Sequence, residues 1–250
     1  TREGMWADSR EALQPLCLER CERALDVGAG TGELTRVLRE ESSGEVVAVD
    51  ADADLLTHVS GSIAVGDACR LSFADNSVDL AVCQALLVNL PDPGRVVREF
   101  ARVASERTAV IEPDNSAVTI DSTVEAEGPL ARRARELYLA GVRTEASFGA
   151  ARGLFDRVGL SDIVVRRYDH ERTVSPPYTE RNIESARRKA SGEGLSRDRT
   201  EVLAGGATPE EFDDLRAEWR AMGREVVTQM QNGEYRRRET VPFFVTVGQV

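Results

Sequence analysis

Ten residues, Ala24-Leu25-Asp26-Val27-Gly28-Ala29-Gly30-Thr31-Gly32-Glu33, place two carboxylates and three glycines in one short stretch. An apolar run of strand character enters a glycine-rich turn, and a helical pattern leaves it. Such a turn lets the backbone approach a ligand closely. A dinucleotide fingerprint, Gly-x-Gly-x-x-Gly, needs a glycine where Glu33 stands, so the third glycine that packs helix against strand is missing. Asp26 and Glu33 bracket the turn; they repel a pyrophosphate and tolerate a ligand carrying ammonium or sulfonium charge. Further polar residues close the strand-like runs that follow: Asp50 after Val47-Ala48-Val49, Asp67 after Gly66, Gln84 after Cys83, and Glu112 after Ile111. In an open parallel sheet, ligands bind outside the carboxyl ends of the strands, which sets Asp26, Asp50, Asp67, Gln84 and Glu112 along one rim.

The elements that must hold this rim follow from periodicity. Short β-branched runs alternate with helical patterns through the first two thirds of the chain, the signature of a parallel sheet with crossover helices. Strands are predicted over Arg23–Val27, Glu45–Val49, Ser62–Val65, Val78–Cys83, Thr108–Ile111 and Asp162–Tyr168, with a last one over Val241–Val250. Helices are predicted over Gly32–Glu40, Pro93–Ala104 and Phe148–Val158, the last capped by Ser147 and left through Gly159, and a leading helix over Met5–Arg20. The 69 residues from Glu171 to Glu239 read as an insertion. It contains a strong helix start, Thr208-Pro209-Glu210-Glu211, with capping-box spacing and proline at the first helical position. Phe212, Leu215, Trp219, Met222, Val226 and Met230 then form one apolar face, read as packing within the domain rather than a partner-binding stripe.

The glycine stretch resembles the first motif of the class I S-adenosylmethionine-dependent methyltransferases, an acidic residue followed by Gly-x-Gly-x-Gly. Asp50 resembles the family's ribose-binding acid, and Gly66-Asp67-Ala68 its adenine pocket, in which the carboxylate takes the exocyclic amine and the next backbone amide reaches the ring. Phe73 to Gln84 resembles the fourth-strand signature, and Leu90-Pro91-Asp92-Pro93 the turn after it. The resemblance covers Ala24 to Tyr168, with Val241–Val250 matching the reversed seventh strand. It implies a Rossmann-like, mostly parallel seven-stranded sheet with helices on both faces, an antiparallel last strand and a helical lid. Residues 1–170 with 241–250 would form the core, and 171–240, joined by 114–146, the lid. It also implies S-adenosyl-L-methionine as cofactor, held by Asp26, Gly28, Ala29, Gly30, Gly32, Asp50, Ala51, Asp67, Ala68, Gln84 and Leu87. The histidine pair of many small-molecule relatives is absent near Val88 and Asn89, so no catalytic residue is assigned. Ser175-Pro176-Pro177-Tyr178 looks like the Asn-Pro-Pro-Tyr of amino methyltransferases, but it follows the sixth strand rather than the fourth and lacks the asparagine. It reads as an extended linker.

Composition narrows the remaining classes. With 41% hydrophobic residues the chain is an ordinary globular one. The longest nearly apolar run, Leu80–Leu90, contains Gln84 and Asn89 and falls short of the roughly 20 residues that span a bilayer. The chain opens at Thr1 with charged Arg2 and Glu3, which reads as no signal peptide, though without an initiator Met it reads as trimmed. Cys17, Cys21, Cys69 and Cys83 lack zinc-site spacing and read as reduced thiols of a cytoplasmic protein; no metal is expected. Net charge is −11, and Lys189 is the only lysine among 32 basic residues. That imbalance resembles proteins of salt-loving archaea, and a GC-rich genome favouring arginine codons produces it equally well. An acidic surface disfavours nucleic acid and anionic membrane.

The expected function is methyl transfer from S-adenosylmethionine to a small-molecule acceptor enclosed under the lid. Such transfer is an in-line displacement in which the protein mainly aligns the reactants and excludes water, so a dedicated base is optional. Glu112 and His170 are the candidates, against a structural cap and a solvated residue respectively. One alternative is an RNA or protein methyltransferase, since Glu171–Glu239 carries 13 bases and 14 acids and includes Arg236-Arg237-Arg238. Another is a non-catalytic S-adenosylmethionine-binding module.

Overall fold

A computed structural model describes residues 4–7, 9–142 and 151–250. The strands are β1 (Arg23–Val27), β2 (Glu45–Asp50), β3 (Ile63–Val65), β4 (Val78–Gln84), β5 (Ala104–Pro113), β6 (Thr119–Ser122), β7 (Ser161–Val174) and β8 (Arg237–Gln249). The α-helices are α1 (Glu33–Glu41), α2 (Ala53–Leu56), α3 (Pro93–Val103), α4 (Glu127–Gly141), α5 (Ala151–Val158), α6 (Glu180–Ser191), α7 (Glu193–Arg197), α8 (Arg199–Ala204) and α9 (Pro209–Gln231). Two compact units divide the chain: residues 1–113, 148–168 and 243–250, and residues 114–147 and 169–242.

In the first unit the strands run in the order β3-β2-β1-β4-β5 and are parallel throughout. β8 then pairs antiparallel with β5, from Arg107 opposite Gln249 to Pro113 opposite Phe243. Alternation along the strands separates two faces. Leu25 and Val27 of β1 and Val47 and Val49 of β2 share one core with Val96, Val97 and Phe100 of α3 and Leu154 and Phe155 of α5. On the other face Asp26 meets Thr35 of α1. α3 starts at Pro93 with the Asp92 carboxylate accepting from Arg95 N–H at 3.0 Å.

The second unit is mainly helical and has its own core, in which Phe212, Leu215, Met222 and Val226 of α9 pack with Leu130 and Ala134 of α4 and Val202 of α8. The apolar stripe read from the sequence is therefore a packing face. Capping boxes start both α6, at Thr179 with Asn182, and α9, at Thr208 with Glu211.

Two sequence expectations are corrected, and a third lies partly outside the described residues. Among the described residues the sheet has eight strands rather than seven, because the four-residue β6 pairs with the leading part of β8, Thr119 opposite Thr240 through Ser122 opposite Arg237. The leading helix is replaced, over the described residues, by two 3-10 turns at Glu11–Leu16 and Leu18–Arg20. Pro15 cannot donate to a continuing helix, and Cys17 adopts a left-handed φ of 51° that stops it. α5 is described from Ala151, so its predicted cap at Ser147 lies outside the described residues; its exit through Gly159, at φ +87°, is present.

Candidate functional site

The loop between β1 and α1 is folded across the end of β2. Gly28 and Ala29 N–H both donate to the Val49 carbonyl, at 2.7 and 3.0 Å, and Gly30 N–H donates to Asp50 Oδ2 at 2.8 Å. Gly28 and Gly30 have φ of 72° and 56°, in the left-handed region that costs other L-residues about 1 to 2 kcal/mol. They differ in surroundings. A Cβ on Gly28 would lie 2.8 Å from Leu86 Cδ1, whereas one on Gly30 would meet nothing within 4 Å. The loop is closed by Leu86 on one side and open at Gly30.

Asp26 lies beneath this loop and is only 1% exposed. Thr35 Oγ1 donates to its Oδ2 at 2.5 Å, tying β1 to α1. Burial raises its carboxyl to about 6, against the opposing effect of the Thr35 donors. Asp26 thus sets the loop from below.

Asp50 sits at the hub. Besides Gly30, its Oδ1 accepts from Asp52 N–H at 2.9 Å, and its backbone carbonyl accepts from Gly66 N–H at 2.9 Å, which draws in the end of β3. Ala51 is exposed beside it, and Asp52 caps α2 through Asp54 N–H at 2.9 Å. Asp67 is exposed and orders its own turn by accepting from Cys69 N–H at 2.8 Å. Ala68 packs against the core. The glycine loop is thereby tied to Asp50 at the end of β2, and Asp50 to Gly66, the residue before Asp67, at the end of β3.

The end of β4 brings residues that sequence reasoning missed. Trp6, fully buried, donates its Nε1–H to Gln84 Oε1 at 2.8 Å and stacks on Tyr168 with ring centroids 4.8 Å apart. The Tyr168 hydroxyl donates to the Met5 carbonyl. The leading segment is therefore part of the rim, and nothing in its local pattern marks it out. Leu87 is 1% exposed and belongs to the core; Leu86, one residue earlier, is the one that meets the glycine loop.

Glu112 has the geometry of the structural cap. It is fully buried, and its Oε1 accepts from Leu86 and Leu87 N–H at 3.0 and 2.8 Å. In the second unit, His170 is 7% exposed rather than solvated, and its Nε2 accepts from Arg172 Nε at 3.3 Å. The arginine run there is not a continuous patch. Arg237 turns inward to Glu127 and Glu239, both at 3.0 Å, while Arg236 donates to the Gly233 and Tyr235 carbonyls. Among the described residues, no helix is long and apolar enough to cross a membrane, and no group of three or more His, Cys, Asp or Glu side chains could hold a metal ion.

Residues 25–111 match a family model described as a methyltransferase domain. Over 98 residues the chain is 39% identical to an uncharacterised methyltransferase of Mycobacterium tuberculosis, covering 37% of this chain and 40% of that protein. It is 30% identical over 115 residues to the demethylmenaquinone methyltransferase of Thermotoga maritima, covering 43% of this chain and 50% of that one. The chain thus matches half or less of the length of these curated relatives. Among solved structures, the Haemonchus contortus phosphoethanolamine N-methyltransferase 2, in complex with phosphomonomethylethanolamine and S-adenosylhomocysteine, shares the fold. Its TM-score is 0.51 at 18% identity, over 98% of this chain and 53% of that one.

Proposed function

We propose that this chain, whose residues 25–111 match a methyltransferase domain model, is a class I S-adenosylmethionine-dependent methyltransferase acting on a small molecule. The observation that carries the reading is the acceptor chemistry of Asp50. Each of its carboxylate oxygens takes one backbone N–H, from Gly30 or Asp52, and each retains a second lone pair for a ribose hydroxyl. Asp67 keeps acceptor capacity for the adenine amine after bonding Cys69 N–H. Gly30 leaves the tip of the loop open. When bound, the cofactor supplies a methyl group already activated on a sulfonium, so the protein's work is to align the acceptor and exclude water. Glu112 is committed to backbone amides, which leaves alignment by residues such as Trp6, Gln84 and Tyr168 as the contribution of this end of the sheet. A small acceptor accords with the relative named for demethylmenaquinone, and the inward turn of Arg237 weakens the case for an RNA acceptor.

Two measurements test this. Losing charge-assisted hydrogen bonds costs about 1.5 to 3 kcal/mol, so calorimetric titration should show Asp50→Ala weakening cofactor affinity about tenfold to a few hundredfold. Asp52→Ala, which removes an equal charge and the cap of α2, should leave it nearly unchanged; equal affinities of both variants for the cofactor would overturn the ribose assignment. Incubation of the enzyme with methyl-labelled cofactor and fractionated cell extract should place label in small molecules. Label confined to RNA or protein would overturn the acceptor class, and no transfer to any fraction would overturn the enzymatic reading.

A further inference from the structure

The second unit contains a cavity of about 360 Å³, the size of a modest ligand site. All of its lining residues belong to that unit, and none takes part in the glycine-loop site. Its walls are largely apolar, with Leu195, Val202 and Trp219 among them, and its polar end carries Glu127, Lys189, Arg237, Glu239 and Arg135.

The charges at that end do not balance. Glu127, 1% exposed, is saturated: Oε1 takes Lys189 Nζ and Arg237 Nε, and Oε2 takes the hydroxyls of Ser122 at 2.7 Å and Tyr235 at 2.8 Å. Glu239 is engaged by Arg237 Nη2 at 3.0 Å and by Arg172 at 3.8 Å. Two enclosed carboxylates therefore face three cations on the cavity wall. The third cation, Arg135, has no carboxylate within ion-pair distance among the described residues. Its Nη1 donates to the Val118 carbonyl at 3.0 Å. The other guanidinium donors remain for a partner. Burial pulls the Arg135 guanidinium below its ordinary value, with Glu239 only partly offsetting it. Arg237 is also pulled down by burial, yet Glu239 raises it overall. The last acid on the lining, Asp198, makes no ion pair with Arg135 among the described residues.

We infer that this cavity is a binding site for a small organic carboxylate with an apolar body, the carboxylate pairing with Arg135 and the body lying against Leu195, Val202 and Trp219. One guanidinium without a carboxylate partner suits a monoanion, and the planar fork of arginine suits a carboxylate taken in a bidentate manner. This inference does not depend on the methyltransferase reading.

The test uses the full chain with 4-phenylbutyrate as probe and 4-phenylbutan-1-ol as its uncharged counterpart, each titrated by calorimetry and by tryptophan fluorescence. The acid should bind at least about tenfold more tightly than the alcohol, a difference of about 1.4 kcal/mol. Arg135→Gln, which keeps a donor for Val118, should abolish that preference. Ala131→Leu, which fills part of the cavity, should weaken both probes. Equal affinity of acid and alcohol for the unaltered protein would overturn the inference without recourse to any variant, as would failure of the acid to bind. Retained preference in a folded Arg135→Gln variant would overturn the role of Arg135.

Discussion

A carboxylic acid at the end of β1 is a ligand-facing residue by its place in the sequence and a buried one by its place in the fold. Asp26 is closed in by α1 and held by Thr35, nine residues on, and its carboxyl is raised from 3.8 to about 6 by burial. Folded protein thus binds this proton more tightly than unfolded protein. The contribution of Asp26 to stability is full below about pH 4, and is lost as the pH rises through about 6. A rise of that size corresponds to about 3 kcal/mol. Urea unfolding at pH 4, 5, 6 and 7 should therefore show the stability of the unaltered protein, relative to Asp26→Asn, falling by up to that amount across the window. A difference independent of pH would mean that the carboxyl is not desolvated as described.

At the scale of elements, local signals succeeded where a start or stop is written in a few adjacent residues. Thr208 accepts from Glu211 N–H at 3.2 Å, and the Glu211 carboxylate accepts from Thr208 N–H at 2.8 Å, the reciprocal pair that the spacing predicts. Thr208→Ala removes one of these bonds and should cost about 1 kcal/mol, within a range of about 0.5 to 2. Equilibrium unfolding of the two proteins measures it, and Thr208→Ser should recover most of the loss. Elements whose existence depends on distant partners were not legible. β6 is four residues long and is a strand because the leading part of β8 pairs with it, and α4 begins at Glu127-Gly128-Pro129, a sequence that locally reads as a turn. Proline is tolerated there because the first turn of a helix does not use its N–H.

For the whole molecule, a net charge of −11 with a single lysine fits either an adaptation to salt or arginine-favouring codon usage. If that composition is an adaptation to salt, repulsion among carboxylates destabilises the fold in dilute buffer. Screening to about 3 Å at 1 M salt should then relieve it. The expected outcome is a melting temperature that climbs between about 0.1 and 3 M KCl, and calorimetric scans over that range check it. A flat response would assign the composition to codon usage.

By itself the sequence determined the parallel core, the reversed strand at its end and the positions of Asp26, Gly28, Gly30, Asp50 and Asp67. Burial of alternate residues and the conformation of a glycine turn are properties of neighbouring residues, so they leave a periodic trace. Only the tertiary structure decided what those residues touch. Trp6 reaches Gln84 across 78 residues, Glu112 caps the turn after β4, Leu86 rather than Leu87 meets the glycine loop, and Glu127 gathers Lys189 and Arg237 from far along the chain. Partner choice of this kind has no local signature. A buried polar group must find a hydrogen-bonding partner, and which partner comes within about 3 Å is settled by the path of the folded backbone rather than by spacing in the chain.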